Sequence, residues 1–188
     1  MAHYSSERSL GARVAAARRA RGYRTLKELA AALEGTGLTA SILQNIELDR
    51  RANIDISHVL NLARTLEVPV SYLLAPMARP GDIVDLPNLG ASLKNMTASE
   101  FDAWLSAIPN ASYTAGSAAE RTDRAELQAL RELQTARREL YRLEAIAGME
   151  EFGDESEVLR EDSQVKRAQL RSRIDGLQKF LASDGWEV

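Results

Sequence analysis

The chain has 188 residues and no cysteine, and 27% of its residues are charged while 5% are aromatic. The lack of cysteine excludes disulfides and thiol chemistry and suits a reducing cytoplasm, where we expect the protein. No apolar run reaches the roughly 18 residues of a membrane span, so we expect neither membrane insertion nor secretion. A core based on Leu, Ala, Ile and Val favours an all-α fold.

The net charge of −3 is distributed unevenly along the chain. Residues 1–75 carry 10 Lys/Arg against 7 Asp/Glu, whereas the remaining residues carry 14 against 20. Because nucleic acid attracts positive charge, this asymmetry places any DNA-binding surface in the first part of the chain. Turn signals divide the sequence into a domain at 1–76, a linker at 77–116 and a helical region at 117–188.

The first region contains five short helical patterns around one apolar core. They run from Glu7 to Ala20, from a cap at Thr25, from Ala40 to Glu47, from a cap at Asp55, and from Val68 to Leu74. In the third pattern Leu43 and Ile46 lie on the inner face, and small uncharged side chains lie on the outer face. Such a face suits the DNA major groove, because Gln and Asn pair with adenine and an Ala methyl group contacts thymine.

Taken in order, these segments resemble the Cro/repressor-type (XRE) helix-turn-helix family over about residues 10–74. The matching segments are Leu26–Ala30, Leu38–Thr39, Ile46–Glu47, Leu60–Val68 and Leu73–Leu74. The resemblance implies a five-helix, lambda-repressor-like DNA-binding domain whose third helix reads bases. The sequence departs from the family in a longer turn at Glu34–Gly37 and in Leu48–Asp49, where the family usually has Gly.

Two groups of residues are therefore expected to contact double-stranded DNA. The base-reading residues are Ala40, Ser41, Gln44 and Asn45, and the phosphate-contacting residues are Arg24, Thr25, Lys27, Thr39, Arg50 and Arg51. The arginines near the end of the first helix could also be an ordinary solvated surface, and the sequence leaves both interpretations open.

The linker is marked by Pro, Gly and Asn residues and contains one predicted helix at 97–106. Thr97 and Glu100 form a capping box at its start, and Phe101 and Trp104 are expected to form a small satellite core. Self-cleaving phage repressors break at a dipeptide like Ala115–Gly116. We interpret this one as linker, because the chain that follows is helical and not the β-rich protease domain that cleavage needs.

The third region predicts two helices of about 30 residues joined by a short connector, a coiled-coil-like helical hairpin. Ser117 caps the first helix and Gly148 is expected to end it. An isolated hairpin of this length leaves much apolar surface in water, so we expect a homodimer, with two recognition helices about 34 Å apart. The expected oligomerisation residues are Leu133, Leu140, Leu143, Leu170, Ile174, Leu177 and Leu181.

These patterns predict a sequence-specific transcriptional regulator, a repressor that binds symmetric half-sites as a dimer. Two alternatives stay open: a DNA-tethered protein-interaction factor such as an autoregulating antitoxin, and a nucleoid-associated protein. The sequence contains no phosphate loop, nucleophile elbow or zinc-protease helix, and its two histidines, His3 and His58, are isolated. We therefore expect no enzyme activity, no catalytic residue, no metal site and no cofactor.

Overall fold

The computed structural model describes residues 3–50, 53–109, 112–150 and 157–188. Within these ranges the chain forms nine α-helices and one short 3₁₀ turn and contains no strand, which confirms the all-α prediction for them. None of the helices described is both long and apolar enough to cross a bilayer. The chain divides into two compact units, Met1–Thr114 (unit 1) and Ala115–Val188 (unit 2).

Unit 1 begins with a 3₁₀ turn at Tyr4–Ser6 followed by five short helices. The third helix has the predicted bounds and the fourth begins directly after Asp55, as predicted. The first begins at Leu10 and not at Glu7, because Ser9 has a φ of 74° and its hydroxyl caps the helix by accepting the Ala12 N–H. The helices are α1 (Leu10–Ala20), α2 (Leu26–Ala32), α3 (Ala40–Glu47), α4 (Ile56–Thr65) and α5 (Val70–Leu74).

One apolar core holds these five helices together. Helices of at most 11 residues are marginal in water on their own, so their stability comes from packing. Full burial of a leucine contributes about 1.5–3 kcal/mol. The fully buried leucines of this core are Leu29, Leu33, Leu43, Leu62, Leu66 and Leu73.

Two further helices follow in unit 1, α6 (Ala91–Lys94) and α7 (Ala98–Ser106). Sequence analysis missed α6 and predicted α7. The predicted capping box of α7 is confirmed: Thr97 Oγ1 accepts the Glu100 N–H at 3.2 Å, and Glu100 Oε2 accepts the Thr97 N–H at 2.8 Å. The predicted satellite core is also present, with Phe101 buried and Trp104 packed beside it.

The segment predicted as a linker belongs to the same compact unit as the five helices up to Thr114. Turns at Pro80–Gly81 and Pro87–Asn88 fold it back on itself, and the Val84 N–H donates to the Met96 carbonyl oxygen at 3.0 Å. Asp85 reaches α1 and forms an ion pair with Arg13 at 2.7 Å. The difference from the prediction comes from this long-range contact, which turn signals do not reveal.

Unit 2 contains two long helices, α8 (Ala118–Glu150) and α9 (Glu157–Ser183). Ser117 caps α8 as predicted, since its hydroxyl accepts the Glu120 N–H at 3.1 Å. Gly148 was expected to end this helix, and that prediction is wrong, because α8 continues to Glu150. A glycine inside a helix costs only about 1 kcal/mol of stability relative to alanine, so the helix can continue through Gly148. The predicted cap at Asp154–Glu157 lies largely outside the described residues.

The helices α8 and α9 pack against each other along an apolar seam that contains the buried Leu133 and Leu181. Three ion pairs join them, and two of these, Arg173–Glu132 and Lys166–Glu139, occur in reverse order along the chain, so the helices run in opposite directions. Their nitrogen–oxygen distances are 3.0 Å for Lys166–Glu139, 2.7 Å for Arg171–Glu144 and 2.8 Å for Arg173–Glu132.

Candidate nucleic-acid interface

The helix α3 is fixed to the core by one face and leaves the predicted base-reading face outside. Leu43 and Ile46 are buried. Ser41 and Gln44 are exposed, and Ala40 and Asn45 are half-buried. No charged side chain lies on the outer face before Glu47, so the helix offers amide and hydroxyl groups to a partner.

Two threonines predicted near the DNA backbone act as N-caps. Thr25 Oγ1 accepts the Glu28 N–H at 3.2 Å, and Thr39 Oγ1 accepts the Ile42 N–H at 3.3 Å. Both residues are exposed. A hydroxyl that accepts in a cap keeps its own proton, so each threonine can still donate a hydrogen bond to a phosphate oxygen.

Arg18 is the residue that positions α3 relative to α1 and the start of α2, and sequence analysis did not single it out. It is buried, and its Nε and Nη2 atoms donate to the Glu47 carboxylate at 2.7 and 3.1 Å. Its Nη1 donates to the carbonyl oxygens of Tyr23 and Arg24 at 2.8 and 3.1 Å. The hydrogen bond to Glu47 raises the pKa of Arg18. A signal existed in the sequence, because Arg18 shares the apolar face of α1 with Leu10.

Two arginines of α1, Arg13 and Arg18, are engaged within unit 1, whereas Arg19 is exposed, as is Arg21 directly after the helix. Besides Arg18, Arg13 is fully buried, and Arg21 donates to the Leu66 carbonyl oxygen at 2.8 Å. The buried guanidinium groups of Arg13 and Arg18 are therefore not available to a partner. Of the predicted phosphate contacts, Arg24, Lys27 and Arg50 are exposed, and Arg51 lies outside the described residues.

The long turn between α2 and α3 is held tightly. Gly35 and Gly37 adopt φ angles of 81° and 77°, which residues with a Cβ rarely adopt. Thr36 Oγ1 donates to the Leu33 carbonyl oxygen at 2.7 Å and accepts the Leu38 N–H at 3.3 Å. Since Leu33 and Leu38 are both buried, the extra residues form a tight bend and leave the two helices anchored in the core.

Asp49 belongs to the pair Leu48–Asp49, where the family that the sequence resembles usually has glycine. Its φ is 52°, a left-handed conformation that Asp tolerates better than most residues. Its carboxylate accepts the Gly11 N–H at 3.0 Å and the Ser9 hydroxyl at 2.5 Å. A Cβ on Gly11 would lie 2.2 Å from the Ile46 carbonyl oxygen, so α1 approaches the end of α3 with backbone against backbone.

The predicted oligomerisation residues lie along the contact between α8 and α9 within one chain. Leu133, Leu170 and Leu181 are buried, and Ile174 and Leu177 pack beside them. Leu140 and Leu143 are half-buried. A side chain that is fully buried between two helices of one chain is not available to a second copy, whereas the half-buried members keep some exposed surface, and the role of this set in self-association stays a prediction.

Comparison with known proteins finds no relative of this chain. No family model matches the chain, and neither a curated protein nor a solved structure matches it. Across the ranges described above, no group of three His, Cys, Asp or Glu side chains is arranged to hold a metal ion.

Proposed function

We propose that the chain is a sequence-specific DNA-binding transcriptional regulator whose first five helices form a lambda-repressor-like domain of the Cro/repressor type. The observation that carries the proposal is the outer face of α3, where Ser41 and Gln44 are exposed on a helix whose inner face is buried. Exposed helix surfaces are usually rich in Lys and Glu, and a face of small amides and hydroxyls instead matches base edges. We propose that it has no enzyme activity and acts in the cytoplasm.

The proposed contacts fall into two groups. Gln44 and Asn45 pair with base edges, with Ser41 and Ala40 beside them, and this group determines which sequence is bound. In the second group, Arg and Lys side chains neutralise phosphates, Thr hydroxyls donate hydrogen bonds to phosphate oxygens, and together these residues fix the register of the protein on the duplex. They are Arg24, Thr25, Lys27, Thr39, Arg50 and Arg51.

The balance of charge in unit 1 favours specific binding over general packaging of DNA. Residues 1–114 carry 12 Lys/Arg and 11 Asp/Glu, and two of the arginines, Arg13 and Arg18, are buried. A nucleoid-associated protein relies on many phosphate contacts, which such a surface does not supply. Base contacts must therefore provide a large share of the binding free energy.

We further propose that the protein acts as a homodimer through its C-terminal helical hairpin. Large apolar side chains stay exposed in unit 2, with Tyr141 76% and Val165 52% exposed. On α9 an uncharged exposed stripe repeats at intervals of three and four residues, the spacing at which helices pack. The stripe consists of Val165, Gln169, Ser172, Gly176 and Phe180.

Selection of duplexes from a random library by the full-length chain tests the DNA-binding proposal. We expect enrichment of a two-fold symmetric sequence, and loss of that enrichment in Ser41→Ala/Gln44→Ala. The matched control Ser92→Ala/Asn95→Ala removes exposed polar groups elsewhere in unit 1 and should enrich the same sequence as the unmodified protein. Equal enrichment by both double variants would show that α3 does not read DNA.

Light scattering of Val165→Lys/Phe180→Lys tests the dimer. Charges placed on the stripe should convert a dimer to a monomer that keeps its helix content, while Ala168→Lys/Ala182→Lys should leave the dimer intact. The second candidate function, a DNA-tethered interaction factor, is favoured by the same exposed apolar side chains. It predicts a monomer in isolation whose stripe is covered by an unrelated chain.

A further inference from the structure

Unit 1 contains a cavity of about 290 Å³ that the DNA-binding proposal does not use. It lies where the start of α1, the chain between α3 and α4, and the segment at 85–89 meet. Its volume is close to the lower end of the range that small-molecule sites occupy, which begins at about 300 Å³. Its apolar lining consists of Leu10, Ile54, Ile56, Val59, Leu74, Leu86, Pro87 and Leu89.

The apolar wall is open to solvent on one side. Val59 and Leu10 are buried beneath the cavity, whereas Ile56 is 67% exposed although it lines the cavity. This exposed isoleucine and the cavity beside it offer apolar surface that a bound molecule would cover. Each Å² of apolar surface removed from water contributes about 25 cal/mol of binding free energy. The wall therefore favours a ligand with an apolar body.

One end of the cavity is polar and carries an excess of negative charge. Ser9 joins two carboxylates there: its N–H donates to Asp85 at 2.7 Å and its hydroxyl donates to Asp49 at 2.5 Å. Asp85 is balanced by the Arg13 guanidinium. Asp49 accepts only neutral donors, and among the residues that the structure describes no Lys or Arg forms an ion pair with it.

The mouth is spanned by two asparagines. Asn88 Nδ2 donates to Asn53 Oδ1 at 3.0 Å, which joins the chain before α4 to the segment at 85–89. Both residues line the cavity. This bond connects parts of the chain 35 residues apart, and it keeps the two walls at a fixed separation.

We propose that this cavity binds a compact organic cation, an amine carried on an apolar body. The ammonium group lies at Asp49, where each carboxylate oxygen has a lone pair beyond the one already used. The apolar body lies against Ile56, Leu74 and Leu89. A neutral ligand of the same shape would gain the apolar contacts and lose the charge-assisted hydrogen bond.

A regulatory consequence follows, and it rests on the proposed function. Asp49 comes directly after Leu48 at the end of α3, and the cavity also contacts the start of α4. A ligand that contacts both segments changes their relative stability, so its binding free energy is coupled to that of DNA, and the coupling is reciprocal. We therefore expect the amine to act as an effector of DNA binding.

Nuclear magnetic resonance titration of the full-length chain tests the site itself. The probe is 2-phenylethylamine, and 2-phenylethanol is its neutral counterpart. We expect the amine to shift amide signals of residues 53–56, 85–86 and 88–89 and to bind about tenfold more tightly than the alcohol, the effect of one charge-assisted hydrogen bond. Equal affinities of the two probes, or signals that shift only elsewhere, would overturn the proposal.

Two variants locate the site. Asp49→Asn removes the charge and suits the φ of 52°, because Asn tolerates that conformation. It should weaken amine binding about tenfold and leave alcohol binding unchanged. Asp123→Asn, a matched change on α8, should alter neither. Ile56→Trp places a larger group at the exposed mouth and should weaken both probes, and an unchanged melting temperature shows that the variant is folded.

The same samples separate failure of the site from failure of the proposed function. If the amine binds as expected and the chain selects no DNA sequence, the site stands and the regulatory role is wrong. If DNA is selected and the amine does not bind, the cavity proposal is wrong and the DNA-binding proposal stands. A change in DNA affinity on adding the amine, absent in Asp49→Asn, supports both.

Discussion

The two units use charged residues in opposite ways. In unit 1, Arg13 and Arg18 are buried, and each guanidinium donates both to a carboxylate and to backbone carbonyl oxygens. In unit 2, the ion pairs between α8 and α9 lie at the surface, with side chains 37–63% exposed. Removing one partner of an ion pair should therefore lower the free energy of unfolding more in unit 1 than in unit 2. An uncompensated buried charge is costly, whereas a surface pair is screened by water.

The largest effect is expected from Arg13→Met. Arg13 Nε donates to the Leu73 carbonyl oxygen at 2.7 Å, and its other nitrogens hold Asp85. Loss of the guanidinium leaves the Leu73 carbonyl oxygen and the partly exposed Asp85 carboxylate without their donor, and each hydrogen bond lost from a charged group costs about 1.5–3 kcal/mol. Urea unfolding followed by circular dichroism measures the cost. A cost below about 1 kcal/mol would place this pair with the surface pairs of unit 2.

A smaller effect, about 1–3 kcal/mol of destabilisation, is expected from Gly11→Ala. The new methyl group would lie 2.2 Å from the Ile46 carbonyl oxygen and 2.7 Å from Asp49 Oδ1, so α1 must move away from the end of α3. Gly148→Ala is the matched control, because a Cβ there meets no atom and alanine favours the helix by up to about 1 kcal/mol. Thermal unfolding should show opposite signs for the two variants.

The Arg13–Asp85 pair should also make stability depend on pH. Burial alone would raise the pKa of Asp85, but hydrogen bonds from Arg13 and Ser9 and the nearby positive charge hold it below its ordinary value. The pair therefore stabilises unit 1 above the ordinary carboxyl pKa of about 4, and this contribution is lost as the pH falls through the lowered value. The stability difference between the unmodified chain and Asp85→Asn should shrink on acidification from pH of about 6 to about 3. A constant difference would contradict the ion pair.

The smallest effect is expected from Arg173→Gln, which breaks the surface pair with Glu132. That pair lowers the pKa of Glu132, together with a hydrogen bond from Gln128. Exposed pairs contribute about 0–1 kcal/mol, and salt screens them. The unfolding midpoint should move little, and the small change should vanish in concentrated salt. A large, salt-independent loss would show that unit 2 depends on its ion pairs as unit 1 does.

Local patterns were sufficient to predict the elements that depend on nearby residues. The bounds of α3 and the capping box at Thr97 and Glu100 follow from side chains within one helical turn of each other. The predicted outer face of α3 is at least partly exposed for the same reason, because 3.6-residue periodicity assigns its two sides. What stays a prediction is the contact with DNA.

Long-range contacts explain what sequence analysis missed. The Asp85 side chain meets Arg13 across 72 residues, so the segment predicted as a linker supplies the partner of a buried arginine. Turn residues mark where a chain bends, and they do not tell where it goes afterwards. Arg18 was overlooked because a cluster of arginines suggests a surface, although its position on an apolar helix face favours an internal partner.

The central claim is that α3 reads DNA bases, and Gln44→Ala tests it most directly. With the sequence selected by the unmodified full-length chain, each base pair is substituted in turn and the affinity of both proteins is measured at fixed salt. Loss of one base contact should cost about 1–3 kcal/mol at a single position of each half-site and abolish discrimination there, while other positions keep theirs. Unchanged discrimination at every position would contradict the account, since the exposed amide of Gln44 would then have no part in recognition.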